Sequence, residues 1–407
     1  MLARILSDSL LIAAVLVAAP IAVLAVECVA AVLPRRRVAL ESARRGSVAV
    51  LVPAHDEQAL IGATIRSILP QLEGGDRLIV VADNCTDGTA RIASAAGATV
   101  VERTDPDRRG KGYALACGID ALSDSPPEVV IVCDADLQVP AGAIDDLVRA
   151  VGRRNSAVQA RYVLSADPDA GARQIVSSLA FLVKNVVRPA GLDRLGLPVP
   201  LTGTGMAFPW AAISRAPRAS GDLVEDMRLG VHVLRAGFGA RLCASVTIRG
   251  TLADSAPDAL QQRKRWEHGH LNVLLSTSLP LLIDGIRRLR FSQIIASLDY
   301  AVPPLALLAA SWIGLFVCSL LAALKYGAWG PLWFNAATGC MLAGAVLLAW
   351  RRYGRHLPLS AVMAVPLYIL WKLPLYAQFL LNRQTAWVRT ARPISPESAA
   401  LGSSAEA

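Results

Sequence analysis

The sequence predicts an α/β domain with a doubly wound parallel sheet, inserted between α-helical transmembrane segments. Two features of the chain lead to this prediction. From about residue 47 to residue 270, short runs of β-branched residues alternate with stretches of helical spacing, and long apolar runs lie on both sides. The chain has 407 residues, and its hydrophobic content of 54% is well above what a soluble globular protein needs. Part of the protein is therefore expected to lie in lipid.

The central region, residues 47–270, contains three predicted strands. The segments SVAVLVPAH, RLIVVADN and EVVIVCDAD are typical of buried parallel strands. Helical spacing follows the first strand in EQALIGATIRSILPQL and the second in TDGTARIASAAG, which ends in a glycine suited to a helix terminus. A sheet of this kind places ligand chemistry at the carboxyl ends of its strands.

The first apolar run, residues 10–33, is long enough to span a bilayer, although Pro20 and Glu27 interrupt it. A cleaved signal peptide is the alternative. Arginines follow the run at once and oppose translocation of what comes after them, which favours a retained anchor over residues 1–46. They are Arg35, Arg36, Arg37, Arg44 and Arg45. The domain that follows is then expected in the cytoplasm.

The chain becomes apolar again beyond the central region. Residues 271–292 contain a proline, an aspartate and several arginines, and suit an interfacial amphipathic segment better than a span. Within residues 293–382, the two runs 300–324 and 326–350 are each long enough to cross a bilayer. Both are predicted transmembrane helices.

The last apolar run, residues 357–381, is interrupted by three prolines and by Lys372. A re-entrant path keeps the arginines on both of its sides in the cytoplasm, whereas a full crossing would place the later ones outside. We therefore predict three full spans, with a fourth as the alternative, and a partly disordered cytoplasmic tail at 383–407. The chain is expected to be an integral protein of the inner cell membrane.

The net charge of +9 does not indicate a nucleic-acid partner, because Lys and Arg gather beside the apolar runs and form no basic stripe with interleaved aromatic residues. A lipid bilayer is the expected partner of these charges. The seven cysteines are scattered without CxxC spacing, so the sequence predicts neither a disulfide nor a zinc site.

Carboxylates close all three predicted strands, the first of them with Glu57. Asp134 and Asp136 close the third, and two residues of a regular strand at this spacing point to the same face. Such a pair can hold a hard divalent cation that neutralises a diphosphate, although acidic residues also end strands in solvent. Asp83 and Asp87 close the second strand. Because Asp87 suits a helix cap, we assign a functional role to Asp83 alone.

Four blocks occur in a fixed order: VPAHDE with VADNCTDGT, then CDAD, then LVEDMRLG, then QQRKRW. In this order they resemble the membrane-bound family-2 glycosyltransferases, the branch that includes cellulose, hyaluronan, chitin and poly-N-acetylglucosamine synthases. The resemblance covers roughly residues 48–266. It implies a GT-A fold, which is a Rossmann-like sheet that binds a nucleotide sugar.

The resemblance also implies roles for residues of the donor site. Asp83 would contact the nucleobase, with Ala54 and Glu57 beside it. Asp134 would hold the nucleotide, and Asp134 with Asp136 would bind the cofactor, Mg²⁺ or Mn²⁺.

Two further blocks carry charged residues. Lys111 in RRGKGYAL resembles the glycine-lysine block near the nucleotide, where a cation suits phosphate; a solvated loop lysine is the alternative. The VED block matches the family's general-base block, with Val224 in place of the usual Thr. The match implies that Asp226, with Glu225 beside it, deprotonates the acceptor hydroxyl. An acidic first helical turn, favoured by the helix dipole, is the alternative.

The QQRKRW block supplies Gln262, Arg265 and Trp266 at the spacing of the QxxRW block of the synthases. Gln262 and Arg265 would bind the donor, with Arg265 neutralising the departing diphosphate, and Trp266 would offer an apolar face to the acceptor sugar. The alternative is an amphipathic helix whose basic residues snorkel at the membrane, which we expect for Arg263 and Lys264.

Two shorter blocks complete the resemblance. TGTGMAF places Gly203 and Gly205 where the family has its acceptor pocket, and glycine lets the backbone approach a ligand closely. WVRTAR, residues 387–392, resembles a cytoplasmic gating segment, with Thr390 able to reach the nucleotide.

Together these features predict an inverting transfer from a nucleotide sugar, by expectation a UDP-sugar, to a growing β-linked exopolysaccharide. Transfer of one sugar to a lipid-linked saccharide or lipid acceptor is the alternative. Few spans leave little room for a polar chain in lipid, so export would need a homo-oligomer or a separate exporter. A transporter would not account for the acidic strand ends, and an NAD-binding domain would need a GxGxxG turn that the first strand lacks.

Overall fold

The computed structural model describes residues 1–34, 45–165, 171–216, 224–251, 256–358 and 363–383. The chain forms two compact units. The helical unit comprises Met1–Arg36, Ala166–Leu197 and His270–Arg383, and the sheet unit comprises Arg37–Ser165, Pro198–Gly269 and Gln384–Ala407. Residues 166–197 therefore group with the helical unit, whereas the sequence analysis placed them inside the domain at 47–270.

The sheet unit contains one sheet, whose described strands are β1 (Val48–Ala54), β2 (Arg77–Asp83), β3 (Thr99–Arg103), β4 (Val129–Val132), β5 (Val158–Ser165), β6 (Met206–Pro209) and β7 (Arg241–Thr251). Their order is β3-β2-β1-β4-β6-β5-β7. β1 pairs in parallel with β2 and β4, so the predicted Rossmann-like α/β sheet is confirmed. The three predicted strands are parallel as expected, but the parallel arrangement does not extend to β6, which was not predicted and runs antiparallel to β4 and β5. Positive φ angles at Gly203 and Gly205 let the chain turn sharply before β6.

The described helices are α1 (Leu2–Val32), α2 (Ile61–Ile68), α3 (Thr89–Ala95), α4 (Lys111–Ala121), α5 (Ala143–Arg154), α6 (Ala172–Leu182), α7 (Arg188–Arg194), α8 (Trp210–Ile213), α9 (Glu225–Arg235), α10 (Ala256–Val273), α11 (Leu279–Arg287), α12 (Phe291–Tyr300), α13 (Leu305–Tyr326), α14 (Trp329–Tyr353) and α15 (Val365–Leu381). Short π-helical turns, Val183–Val187 and Leu274–Ser278, join α6 to α7 and α10 to α11. A 3₁₀ turn, Leu69–Gln71, follows α2.

The core of the sheet unit lies between the sheet and helices such as α2 and α5. Ile61, Ile65 and Ile68 recur at helical spacing, so one face of α2 is fully buried. On α5, Ile144 and Leu147 are buried in the same way and belong to the same core. Burial of each such side chain contributes roughly 1.5–3 kcal/mol, and this fixes the strand ends relative to the helices that follow them.

Four described helical segments of the helical unit are long and apolar enough to cross a membrane: Ala3–Val32, Ala172–Arg194, Leu305–Tyr326 and Trp329–Tyr353. Three of them match apolar runs in the sequence. The second, made of α6, a π turn and α7, was not predicted, because Lys184 and Arg188 interrupt its apolar pattern.

The remaining segments of the helical unit are shorter. The predicted interfacial segment, residues 271–292, includes the end of α10 and all of α11. The last apolar run forms α15, which has 17 residues and is shorter than the four crossing candidates. Residues 387–392 and the arginines at 35–37 lie outside the described residues, so the expectations attached to them stay predictions.

A buried ion network joins three helices of the helical unit. Arg188 Nε on α7 lies 2.6 Å from Glu27 Oε2 on α1, and Arg188 Nη2 lies 2.6 Å from Asp299 Oδ1 on α12. All three side chains are buried. A Cβ atom at Gly191 would lie 2.0 Å from the Glu27 carbonyl oxygen, so α7 packs directly on the backbone of α1. The ion pair with Arg188 therefore explains why a charged residue, Glu27, lies within the first apolar run.

Replacing the shared cation should destabilise the helical unit strongly. We expect Arg188→Met to lower the free energy of unfolding by about 3–5 kcal/mol, because Glu27 and Asp299 would stay buried without their partner. Thermal unfolding of the purified full-length protein in detergent measures the effect. Arg287→Met, at an exposed arginine of α11, is the matched control and should change the midpoint little. Equal midpoints for the two variants would contradict a stabilising role for the network.

Candidate active site

The carboxyl end of β4 carries the first part of the site. β4 ends at Val132, so Asp134 and Asp136 lie beyond the strand, and the expectation that they share one face of a regular strand is wrong. The Asp134 amide donates to Thr204 Oγ1 at 3.1 Å, which ties this segment to the loop before β6. Both aspartates are partly exposed.

Lys111 occupies the centre of the site. It is the first residue of α4, and its ammonium group contacts the Asp134 carboxylate and donates to the Gly203 carbonyl oxygen at 2.5 Å. The Nζ atom also lies 3.9 Å from Glu225 Oε1. Burial alone would lower the pKa of Lys111, but the Asp134 and Glu225 carboxylates outweigh it and raise that pKa above its usual value. Lys111 is thus a member of a charged cluster, and the solvated-loop alternative does not hold.

The first turn of α9 brings two carboxylates to the same cluster. Asp226 Oδ1 accepts a hydrogen bond from the Met227 amide at 2.8 Å. A Cβ atom at Gly203 would lie 3.4 Å from Asp226 Oδ2, so this glycine leaves the carboxylate in close contact with the loop backbone. Burial raises the pKa of Glu225 to about 7, with a smaller opposing effect from Lys111. Glu225 therefore keeps its proton to a higher pH than an ordinary carboxyl group does.

Helix α10 supplies Arg265 to the cluster. Burial lowers the pKa of Arg265, and the Glu225 and Asp134 carboxylates act against that effect. Gln262 is buried, and its Oε1 has no hydrogen-bond partner within the described part of the chain. Trp266 is partly exposed. Arg263 is only 5% exposed, so our expectation that it snorkels at a membrane surface is wrong.

The two glycines before β6 serve different ends. Gly203 has a φ of +93° and faces Lys111 and Asp226. Gly205 has a φ of +61°, and a Cβ atom there would lie 2.5 Å from Ile248 Cδ1 and 2.8 Å from Ala160 Cβ. Close packing against Ile248 and Ala160 thus requires glycine at Gly205. Gly203, in contrast, lies beside the charged cluster of Lys111 and Asp226.

Asp83, at the end of β2, lies in a second group of polar residues. Its Oδ1 is 2.5 Å from Arg103 Nη1 and accepts from Asn84 Nδ2 at 3.0 Å. Arg103 also reaches Asp105 Oδ2 at 3.0 Å. The Asp83 side chain is buried, so the guanidinium group holds a carboxylate at this sheet edge.

The turn after β1 contains Glu57 and follows Ala54, which is buried at the strand end. Asp56, Cys85 and Asp87 lie close enough to offer three ligand atoms within 4.8 Å of one another. Both carboxylates, however, accept backbone hydrogen bonds, from Thr86 at 2.6 Å and from Thr89 at 2.9 Å. Burial raises the pKa of the Cys85 thiol, which disfavours the thiolate that binds metals. This group orders the turn. Asp87 accepts from the first residue of α3, Thr89, but the N-cap residue of that helix is Gly88, one residue later than expected.

The structure thus brings six of the predicted residues together: Lys111, Asp134, Gly203, Glu225, Asp226 and Arg265. Sequence reasoning missed Arg103 and Gln159, which contact residues of the site. The only available signal for Arg103 was its place in TVVERTD, a short segment that precedes a loop. Gln159 lies inside a strand, and its role arises from contacts with residues distant in the chain.

Comparison with known families gives a match over most of the sheet unit. The family described as Glycosyltransferase like family 2 matches residues 45–269, which is more than half of the chain. These residues include all four blocks on which the resemblance was based.

Two curated relatives match shorter segments. Glucosyl-3-phosphoglycerate synthase of Mycolicibacterium paratuberculosis is 42% identical over 108 residues, which is 25% of this chain and 32% of that protein. The 4,4'-diaponeurosporenoate glycosyltransferase of Staphylococcus aureus is 43% identical over 67 residues, which is 16% of this chain and 17% of that protein. The chain therefore spans about a third or less of the length of these relatives.

One solved structure is similar over nearly the whole chain. A mannosyltransferase from Pyrobaculum calidifontis, in complex with GDP-Man and Mn²⁺, gives a TM-score of 0.55 at 18% identity and covers 94% of this chain and 100% of that chain. At this identity the likeness concerns the fold, and it supports the GT-A type of sheet.

Proposed function

The chain belongs to the glycosyltransferase-like family 2, and from this premise we propose that it transfers a sugar from a nucleoside diphosphate carrier to an acceptor hydroxyl. One observation carries the proposal. Lys111 joins Asp134 to the Gly203 loop (residues 202–204) beside the paired acids Glu225 and Asp226. Such a cluster offers cationic groups for a diphosphate and a carboxylate for a hydroxyl proton in one place.

The donor would lie along the carboxyl edge of the sheet. β2 and β4 are separated by β1, so the strands that Asp83 ends and Asp134 follows are two strand spacings apart, roughly 10 Å. A nucleoside diphosphate has its base at one end and its phosphates at the other. We assign the base to Asp83, near Ala54 and Glu57, and the phosphates to Lys111, Arg265 and Gln262. These residues then bind the two ends of one ligand.

A divalent cation fits the residues beyond β4. Asp134 and Asp136 offer oxygen ligands, which Mg²⁺ and Mn²⁺ prefer, and such sites commonly use one or two carboxylates together with substrate phosphates. Asp134 already accepts a cationic group, the Lys111 ammonium. When bound, Mg²⁺ or Mn²⁺ would neutralise part of the diphosphate charge.

The chain's own residues account for the remaining chemistry. Asp226 takes the proton of the acceptor hydroxyl while the oxygen forms a bond to the anomeric carbon. The bond from that carbon to the diphosphate breaks on the opposite face, so the configuration inverts. Arg265 and Lys111 stabilise the charge that develops on the leaving diphosphate. An α-linked donor would then yield a β-glycoside.

The helical unit suggests where this reaction takes place. Its four apolar helical segments are compatible with membrane association. We place the unit in the inner cell membrane with the sheet unit in the cytoplasm, because arginines follow the first apolar run and lie on both sides of the last one, where a re-entrant path keeps them in the cytoplasm.

For the acceptor we propose a growing β-linked exopolysaccharide, with a UDP-sugar as donor, on the strength of the QxxRW block. A second candidate is one-sugar transfer to a lipid or lipid-linked acceptor. Transfer of a single sugar is favoured by the names of the two curated relatives, which refer to 3-phosphoglycerate, a small water-soluble acid, and to 4,4'-diaponeurosporenoate, and to no polysaccharide.

A panel of nucleotide sugars tests the proposed function. Purified full-length protein in lipid vesicles with Mn²⁺ should release nucleoside diphosphate from one donor class, and UDP-sugars are the expected class. Product size with donor in excess then separates the two acceptors: a ladder indicates polymer, and a single added sugar in the lipid extract indicates the second candidate. The function would be contradicted if none of the donors released diphosphate when membrane lipid extract was added to the vesicles as acceptor.

A further inference from the structure

A buried glutamine on β5 contacts both ends of the Gly203 loop. Gln159 is 0% exposed. Its Oε1 accepts from the Thr202 amide at 2.9 Å, and its Nε2 donates to the Thr204 carbonyl oxygen at 2.8 Å and to the Ala160 carbonyl oxygen at 2.9 Å. One side-chain amide therefore satisfies a donor before Gly203 and an acceptor after it.

The loop that Gln159 contacts is central to the site. The Gly203 carbonyl oxygen accepts from Lys111, and Thr204 Oγ1 accepts from the Asp134 amide. The open side of Gly203 faces Asp226 Oδ2. The loop thus touches a diphosphate-binding residue, a metal-binding residue and the base of the proposed reaction, while Gln159 itself is buried behind it.

We propose that Gln159 is a positioning residue that fixes the Gly203 loop, and through it the relative placement of Lys111 and Asp226. This inference rests on the proposed function. Glycine can adopt many backbone conformations, including the positive φ found at Gly203. Hydrogen bonds from outside the loop are therefore needed to keep its backbone in one conformation. A displacement of about 1 Å at such a site costs on the order of 10²-fold in rate.

Gln159→Met removes all three side-chain hydrogen bonds, two of them to the Gly203 loop, while keeping the length and volume of the side chain. We expect kcat to fall about 10²-fold, while the affinity for UDP with Mn²⁺, measured by calorimetry, falls by much less, because Arg265 and Gln262 still bind the diphosphate. The same substitution at Gln71 is the matched control. Gln71 also joins two segments of the sheet unit, donating to Ser67 and Val139 carbonyl oxygens and accepting from the Ile144 amide. Gln71→Met should retain nearly full kcat.

A double-mutant cycle separates positioning from general destabilisation. If Gln159 acts through the loop on Lys111, the kcat loss of the double variant Gln159→Met/Lys111→Met should be about tenfold smaller than the product of the two single losses. For the control double variant Gln71→Met/Lys111→Met, the kcat loss should equal the product of the single losses. Multiplicative losses in the Gln159 cycle, or full kcat in Gln159→Met, would overturn the proposal. Inactivity of the unmodified protein toward every donor would instead contradict the proposed function.

If Gln159→Met does not fold, Gln159→Glu keeps the acceptor for the Thr202 amide, and as a carboxylate it loses the donor to the Thr204 and Ala160 carbonyl oxygens. This variant should keep most of its UDP affinity and lose kcat. Combined with Lys111→Met, its kcat loss should again be smaller than the product of the two single losses. Equal losses of kcat and UDP affinity would show that the residue supports the whole unit and would overturn the positioning role.

Discussion

Asp226→Asn should reduce sugar transfer by about 10²- to 10⁴-fold while leaving donor binding intact, because the amide cannot take the acceptor proton. The replacement preserves local structure, since an amide oxygen can still accept from the Met227 backbone. Diphosphate release under saturating donor and acceptor measures kcat. Calorimetry with UDP and Mn²⁺ measures donor binding on the same preparations.

Glu225→Gln is the matched comparison for Asp226→Asn, because both positions lie in the first turn of α9. We expect a smaller loss of transfer, since Glu225 lies 3.9 Å from Lys111 and acts on the charge of the cluster. A larger loss in Glu225→Gln than in Asp226→Asn would reassign the base to Glu225, whose pKa near 7 suits that role. Lost donor affinity in Asp226→Asn, with transfer intact at saturation, would exclude Asp226 as the base.

Asp134→Asn should abolish the metal dependence of turnover. Loss of a cation that stabilises a leaving diphosphate by several kcal/mol corresponds to about 10²- to 10⁴-fold in rate. Asp134→Asn also releases Lys111 from its carboxylate, so the affinity for nucleotide without metal should change in the same variant. Turnover against Mn²⁺ concentration measures both the maximum rate and the apparent metal affinity.

Asp124→Asn, at an exposed carboxylate of the sheet unit, is the control for Asp134→Asn and should retain normal metal dependence. Asp136→Asn should resemble Asp134→Asn if both carboxylates bind the cation. Unaltered turnover in excess chelator, or in either site variant, would contradict the metal assignment.

The strands that position the site were predictable because of how they are buried. β1, β2 and β4 lie side by side in the sheet, so they appear in the sequence as unbroken runs of Val, Ile and Leu. β3 lies at the end of the strand order, is only partly buried, and gives no such run. β6 is as short as β4, but its sequence, MAFP, contains no β-branched residue and therefore does not indicate a strand.

The helical segment at 172–194 was missed for a different reason. Its Lys184 and Arg188 make it look like part of a soluble domain. Arg188 is tolerated there because its partners, Glu27 and Asp299, lie 161 and 111 residues away in the chain. Local sequence pattern does not contain that pairing.

The same limit applies to the site. The matching blocks identified Lys111, Asp134 and Asp226 one at a time, each from its own neighbours. Their arrangement depends on contacts such as Lys111 with Gly203, which are 92 residues apart. Gln159 belongs to none of the matching blocks. Its role follows only from the hydrogen bonds between its side-chain amide and the Gly203 loop.

The position of residues 166–197 has a consequence for how the protein is made. β5 precedes this segment and β6 follows it, yet β6 is the strand that lies between β4 and β5 in the sheet. During synthesis, β5 therefore emerges from the ribosome before the strand that connects it to β1 and β4 exists, and chains fold from the amino-terminal end as they appear. The sheet can close only after the ribosome has passed the apolar segment. Completion of the sheet thus has to wait for synthesis of that segment, and an expression fragment that begins at residue 47 and omits it would leave the two halves of the sheet without their native linkage.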